Sequence, residues 1–261
     1  MIPAAQITHW RQTAPWASDD DVEQDLVISR AIVDIFANDY LRERLAFRGG
    51  TALHKLMLAP ATRYSEDIDL VFMRNEGIGP IFDQTRTALS WIDTKPQRDK
   101  RLFPKLYFRF ITAGGTPRKI KVEIATREAF SALRAIEVPY EVSSPFYQGS
   151  ARVRTYTIEE LLATKLRALY QRQKGRDLYD LWYAARQRPI DFAQVYALFV
   201  EYWAATGLPQ LRRNVVVQNM ASKQQAGVFD QVAPLLVPGA QFDVVAAKTW
   251  FDDVVLPHFP L

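Results

Sequence analysis

The chain predicts an α+β fold: a small sheet with flanking helices in its first half and a helical remainder. Three observations predict it. Short β-branched and aromatic runs cluster between residues 46 and 124, apolar residues recur at helical spacing in 18–45 and again beyond Thr157, and a Pro-, Ser-, Gly- and Tyr-rich stretch from Val138 to Arg154 lies between. That stretch reads as a connection, which divides the chain into domains of residues 1–150 and 151–261. A length of 261 residues suffices for one large domain or two modest ones.

Each element has its own justification. Residues 18–45 place Val22, Leu26, Val33, Phe36 and Tyr40 on one stripe of a long amphipathic helix. Ala46 and Phe47 end a short strand, Gly49-Gly50 is a tight turn, and Thr51 caps a helix to Leu58 with Leu53, Leu56 and Met57 toward the core. In the strand that follows, alternation sends Asp67, Asp69 and Val71 to one face and Ile68, Leu70 and Phe72 to the other. Residues 77–92 read as a helix, and 93–105, rich in charge and proline, as a loop. Leu106–Ile111 and Ile120–Ile124 are two strands joined by the turn-rich T-A-G-G-T-P-R-K, with Lys121 and Glu123 on the face opposite Ile120, Val122 and Ile124. Thr157 and Glu160 form a capping box before a helix through Leu161, Leu162, Leu166, Leu169 and Tyr170. Gly175 breaks that helix, and a second turns Leu178, Leu181 and Trp182 inward. Beyond Asp191, helices are separated by Gly207-Leu208-Pro209 and Pro238-Gly239.

The chemistry is concentrated between Phe47 and Phe72. Two residues of strand separate the Asp67 and Asp69 Cα atoms by roughly 7 Å, so their carboxylates can converge on one divalent ion or two. Hard oxygen donors suit Mg²⁺ or Mn²⁺. Without a cation, two like charges beside an apolar strand repel and resist desolvation. Strands pair about 4.8 Å apart, so a strand carrying Glu123 beside this one brings a third carboxylate; Glu66 has the wrong parity. Backbone amides at the Gly49-Gly50-Thr51 turn, with a helix dipole behind them, attract phosphate, and glycine permits close approach. Arg63 and Ser65 flank the acidic pair and either contact phosphate or cap the strand. Lys165, on the polar side of its helix, is a compact mobile charge for a triphosphate, and Asp177 and Asp180 sit three apart on the next helix. Phosphate and metal together indicate a nucleotide enzyme.

Composition sets bounds. Residues 152–188 hold nine Lys/Arg against four Asp/Glu, a net of +5 in a chain of net +4, so the positive charge is concentrated and suits a triphosphate, an RNA backbone or both. Cysteine is absent, which excludes disulfides and thiolate metal sites, and His9, His54 and His258 lack metal-ligand spacing. The N-terminus has no apolar signal region and no apolar run approaches the roughly 18 residues of a membrane span. A soluble cytoplasmic protein with no membrane partner is the expectation.

The motifs G-G-T-x-L-x-K, R-Y-S-x-D-I-D-L and K-V-E-I, followed by I-E-E-L-L-A-T-K-L-R-A-L-Y-Q-R-Q-K-G-R-D-L-Y-D-L, resemble the nucleotidyltransferase superfold shared with DNA polymerase β, in its AbiEii/AbiGii toxin branch. The resemblance covers residues 46–182. It implies a minimal mixed sheet with flanking helices and a helical second domain. It also implies metal-dependent transfer of a nucleoside monophosphate from a nucleoside triphosphate, and often a type IV toxin countered by a separately encoded antitoxin. Some members are similar to toxins that add nucleotides to the acceptor end of tRNA. Carried over by residue, Asp67, Asp69 and Glu123 would be catalytic and hold the metal, Gly49, Gly50, Thr51 and Ser65 would bind nucleotide, and Lys165 would bind phosphate. Asp177 would either position the nucleotide or orient Lys165. A small-molecule nucleotidyltransferase and a non-catalytic nucleotide- or RNA-binding protein are the alternatives; the intact D-x-D disfavours the second.

Overall fold

A computed structural model describes residues 2–74, 76–99, 104–126 and 131–261. The chain divides into two compact units, Met1–Tyr156 and Thr157–Leu261, six residues beyond the division expected at 150/151.

The first unit is built on a seven-stranded mixed sheet. Its strands are β1 (Leu45–Arg48), β2 (Asp67–Phe72), β3 (Gln97–Asp99), β4 (Lys105–Ile111), β5 (Pro117–Ala125), β6 (Ile136–Ser143) and β7 (Gln148–Thr155), in the order β3-β4-β5-β2-β1-β7-β6. β2 runs parallel to β5 and β1 parallel to β7; the other pairs are antiparallel. One face buries Ile68, Leu70, Leu106, Phe108, Ile120, Val122 and Ile124, the apolar positions that alternation assigns.

Helices α1 (Ala4–Trp10), α2 (Asp19–Ala37), α3 (Asp39–Arg42) and α5 (Ile78–Ala88) complete the unit, with α4 (Gly49–Ala52) running on into a π-helical turn, Leu53–Met57. The long helix expected over 18–45 ends at Ala37. Asn38 turns to extended backbone, and its side chain accepts from the Leu41 amide to start α3, so Tyr40 belongs to a separate short helix. On α2 a buried carboxylate, Asp25, accepts from Trp10 Nε1 and from Lys55 Nζ, both at 2.9 Å. This pair fixes the helical segment after the glycine turn against α1 and α2, which positions the turn.

Two other expectations change. Within 93–105, Gln97–Asp99 is the edge strand β3, while residues 100–103 lie outside the described ones. The presumed connection Val138–Arg154 is the β6–β7 hairpin. Pro139 misdirects the reading because proline reads as a strand breaker, yet β6 is the last strand of the sheet, where a missing amide donor costs little.

The second unit is helical: α6 (Ile158–Gln171), α7 (Arg176–Gln187), α8 (Phe192–Ala204), α9 (Arg213–Gln225) and α10 (Val244–Trp250), with short 3₁₀ and π turns. Thr157 caps α6 by accepting from the Glu160 amide, and the Glu160 carboxylate takes the Tyr202 hydroxyl of α8 at 2.5 Å. Gly175 does not break α6, which has already ended at Gln171; it starts α7 in ordinary helical conformation, and its bareness lets the Val228 carbonyl approach.

Candidate active site

The register of three strands builds the site. β1 against β2 sets Arg48 opposite Asp69, so the chain leaves β1 into Gly49 directly beside that carboxylate. Gly49 has φ +83°, the left-handed region, and a Cβ built there would lie 3.0 Å from both Cβ and Cγ of Asp69 and closer still to its Oδ2. Glycine is required twice over, by conformation and by space. The helix that begins here receives no side-chain cap from Arg48, leaving the first-turn amides at the N-terminal end of a helix dipole. The glycine bend and Asp69 therefore form one piece of surface.

Thr51 is not the cap of this helix. It lies inside the first turn, buried, and its hydroxyl bonds Ser65 Oγ at 2.8 Å and donates to the Asp67 carbonyl. Thr51 and Ser65 thus pin the start of β2 to the glycine turn. Arg63 is 1% exposed and donates to the Tyr64 carbonyl at 2.8 Å, bracing the loop before β2 from within.

β2 against β5 sets Asp67 opposite Lys121 and Asp69 opposite Glu123. The three carboxylates share a face, yet among the described residues no group of three His, Cys, Asp or Glu side chains is arranged to hold a metal ion. A lysine explains why. Lys121 Nζ lies 2.9 Å from Asp67 Oδ2 and 3.4 Å from Glu123 Oε2, while Lys105 Nζ reaches Glu123 Oε2 at 3.3 Å. The positive charge that the pair requires is supplied by the protein itself. Burial pulls the Lys121 ammonium down, but its hydrogen bond to Asp67 and the charges of Asp67, Asp69 and Glu123 more than reverse this and leave it raised. Asp69 is pushed up, first by burial and then by the Asp67 charge, with Lys121 opposing. Asp69 is thus under-compensated, and Asp67, Asp69 and Glu123 present hard-oxygen donors on one face of the sheet.

Lys165, Asp177 and Asp180 come together in the second unit. Lys165 is not a solvated charge. Its side chain is 7% exposed, with Nζ 3.3 Å from Asp177 Oδ1 and 2.8 Å from Asp180 Oδ2, both aspartates being fully buried. Arg172 lies 3.5 Å from Asp177 Oδ1, and Asp177 Oδ2 has no hydrogen-bond partner among the described residues. The basic segment 152–188 is shared between the two units. Arg152 and Arg154 belong to β7, engaged with Glu137 and the Glu43 carbonyl, and Lys165 is buried.

Lys121, Lys105 and Arg48 are the site neighbours that sequence reasoning did not assign. The signal was present for Lys121, since K-x-E in a strand must share a face, but its partners depend on pairing with β2.

A glycine bend locked to the second acid of a D-x-D strand, with a third acid on the parallel neighbour, defines a nucleotidyltransferase core. The chain belongs to the AbiEii family, described as nucleotidyl transferase AbiEii toxin of type IV toxin–antitoxin systems, whose model matches residues 30–247. Among solved structures it is similar to MenT4, a nucleotidyltransferase toxin from Mycobacterium tuberculosis H37Rv, at 22% identity and a TM-score of 0.61, covering 96% of this chain and 93% of that one. An antigenic nucleotidyltransferase-like protein from Paracoccidioides brasiliensis matches at 17% identity and a TM-score of 0.40, over 67% and 86%. No curated protein matches the chain by sequence. No helix among the described residues is long and apolar enough to cross a membrane.

Proposed function

We propose that this toxin transfers a nucleoside monophosphate from a nucleoside triphosphate to RNA, at the acceptor end of tRNA, in a reaction dependent on Mg²⁺ or Mn²⁺, and that it acts in the cytoplasm against translation until its cognate antitoxin restrains it. The observation that carries this reading is the packing of Gly49 against Asp69, which puts an anion-binding helix start and a cation-seeking carboxylate side by side.

In this reading Asp67, Asp69 and Glu123 would hold the divalent ion, which when bound neutralises triphosphate charge and lowers the pKa of the attacking hydroxyl. The amides of Gly49, Gly50 and Thr51 receive the β and γ phosphates, and Ser65 keeps that turn in place through Thr51. Glu123 accepts the proton of the acceptor hydroxyl. The new bond joins that oxygen to the α-phosphorus, the α–β phosphoanhydride breaks, and pyrophosphate leaves. Lys121, already held among these carboxylates, keeps them from repelling before substrate arrives. Lys165, held by Asp177 and Asp180 within the helical unit, is the phosphate-binding candidate that the family motif carries over. The sheet unit would serve as the catalytic domain and the helical unit as the carrier of the Lys165–Asp177 motif.

The test is a matrix of the four α-labelled triphosphates against total RNA, purified tRNA and small hydroxyl acceptors, with and without Mg²⁺. The reading expects metal-dependent label in tRNA. Label confined to small acceptors, or none with any acceptor, would overturn it.

A further inference from the structure

The face that carries the carboxylates does not end with them. On β5 the residues of that face run Glu123, Lys121, Lys119, and on β4 they run Lys105, Tyr107, Arg109. The register sets Lys105 against Glu123, Tyr107 against Lys121 and Arg109 against Lys119. The opposite parity, Leu106, Phe108, Ile120 and Val122, is fully buried, so these strands cannot rotate and must present the other set outward. Arg109 and Lys119 are exposed and Tyr107 partly so. The Lys119 ammonium lies 5.4 Å from the centre of the Tyr107 ring. Beyond Glu123, β4 and β5 contribute no acidic side chain to this face.

We propose that this strip is the track of the acceptor: the single-stranded end of a nucleic acid lies across β4 and β5, with a base stacked on Tyr107 and flanking phosphates held by Lys119 and Arg109. The proposal rests on the transfer reading above and deepens it by naming where the acceptor binds. Three features favour this occupant. An aromatic face beside an ammonium offers a nucleotide both of its needs, stacking for the base and charge for the phosphate. An open sheet admits splayed bases and has no ridge that would enter a duplex groove. The strip is continuous with the carboxylates, so a strand lying on it delivers its terminal hydroxyl toward Glu123 without leaving the surface. In the second-half basic segment Lys165 is buried, and the rings beside its arginines, Trp182 beside Arg186 and Tyr202 beside Arg167, are buried as well and offer a base no face.

The test measures anisotropy of a fluorescein-labelled 12-nucleotide RNA of mixed sequence, with the full chain, in EDTA and without triphosphate, across a salt series. Arg109→Gln and Lys119→Gln should each weaken binding across all sequences and lower the salt slope by about one. Tyr107→Ala should cost about tenfold or more whatever the base, while Tyr107→Phe, which keeps the ring and the fold, binds as the parent does. Arg212→Gln, an exposed arginine in the second unit, serves as the equal-charge control and should change little. Strip variants that bind like the parent, or an Arg212→Gln loss equal to theirs, overturn the proposal. Failures remain distinguishable: label transfer with unaltered RNA affinity in strip variants removes the track and leaves the chemistry. Strip-dependent binding by a parent that transfers no label removes the chemistry and leaves the track.

Discussion

Replacing Gly49 by alanine separates two costs that the site imposes. The first is conformational: φ at Gly49 is +83°, and holding an L-residue in the left-handed region costs about 1–2 kcal/mol. The second is steric: the new methyl would sit 3.0 Å from Asp69 Cβ and Cγ and closer to Oδ2, whereas ordinary contact begins at 3.4 Å. Asp69 has a helix start on one side and a paired strand on the other, so relief requires its carboxylate to swing away by about 1 Å, a displacement that costs roughly 100-fold in rate. Gly115 supplies the control. It has the same φ of +83°, but a Cβ there meets nothing within 4 Å. Urea unfolding should show Gly115→Ala destabilised by about 1–2 kcal/mol and Gly49→Ala by at least that much, while label transfer falls about 100-fold only in Gly49→Ala. If Gly49→Ala transfers label as Gly115→Ala does, the argument that the bend and Asp69 act as one site is refuted.

Further outcomes follow from the charges. Because the Asp69 carboxyl is raised above the ordinary 3.8 by burial and by Asp67, ionising it opposes folding: the penalty is absent below 3.8 and complete above the raised value. Metal-free parent should therefore lose stability relative to Asp69→Asn as pH rises through that window, in thermal melts with EDTA from pH 3 to 8; a constant difference would contradict the shift. Lys121→Met removes the ammonium between Asp67 and Glu123, which are about a quarter exposed. After solvent screening it should destabilise the metal-free chain by about 1 kcal/mol, yet tighten Mn²⁺ binding, read by electron paramagnetic resonance. Unchanged or weaker Mn²⁺ binding would show that the lysine does not compete for the site. Lys165→Ala removes the ammonium that lies between the buried Asp177 and Asp180 and should cost about 3–5 kcal/mol. Adding Asp180→Asn should recover part of this in urea titrations, and no recovery would contradict the buried triad.

What the sequence disclosed, and what it withheld, divides along the range of the physics involved. Alternation within one strand is local, so the shared face of Asp67 and Asp69 and the apolar face of β5 were readable directly. Pairing is not local. That Glu123 lies opposite Asp69 follows from β2 and β5 running parallel, a relation between strands some fifty positions apart. Lys121 was visible on the carboxylate face but acquired its partners only from that same pairing. Lys165 reads from the sequence as a mobile charge on the polar side of its helix, because one-helix periodicity cannot anticipate two aspartates arriving from α7. The β6–β7 hairpin was hidden by Pro139, whose cost depends on whether its strand is central or terminal. Thr51 looked like a cap because it follows two glycines, but the helix begins at Gly49 itself, freeing the hydroxyl to tie Ser65 and Asp67 together.

The central claim is that the acids of β2 and the bend that opens α4 jointly run a metal-dependent transfer. Its most direct measurement is incorporation of label from α-labelled triphosphate into tRNA by parent, Asp67→Asn and Asp69→Asn proteins in Mg²⁺ and in EDTA. The account predicts label only from the parent, and only in Mg²⁺. Incorporation that survives either asparagine or the chelator would contradict it.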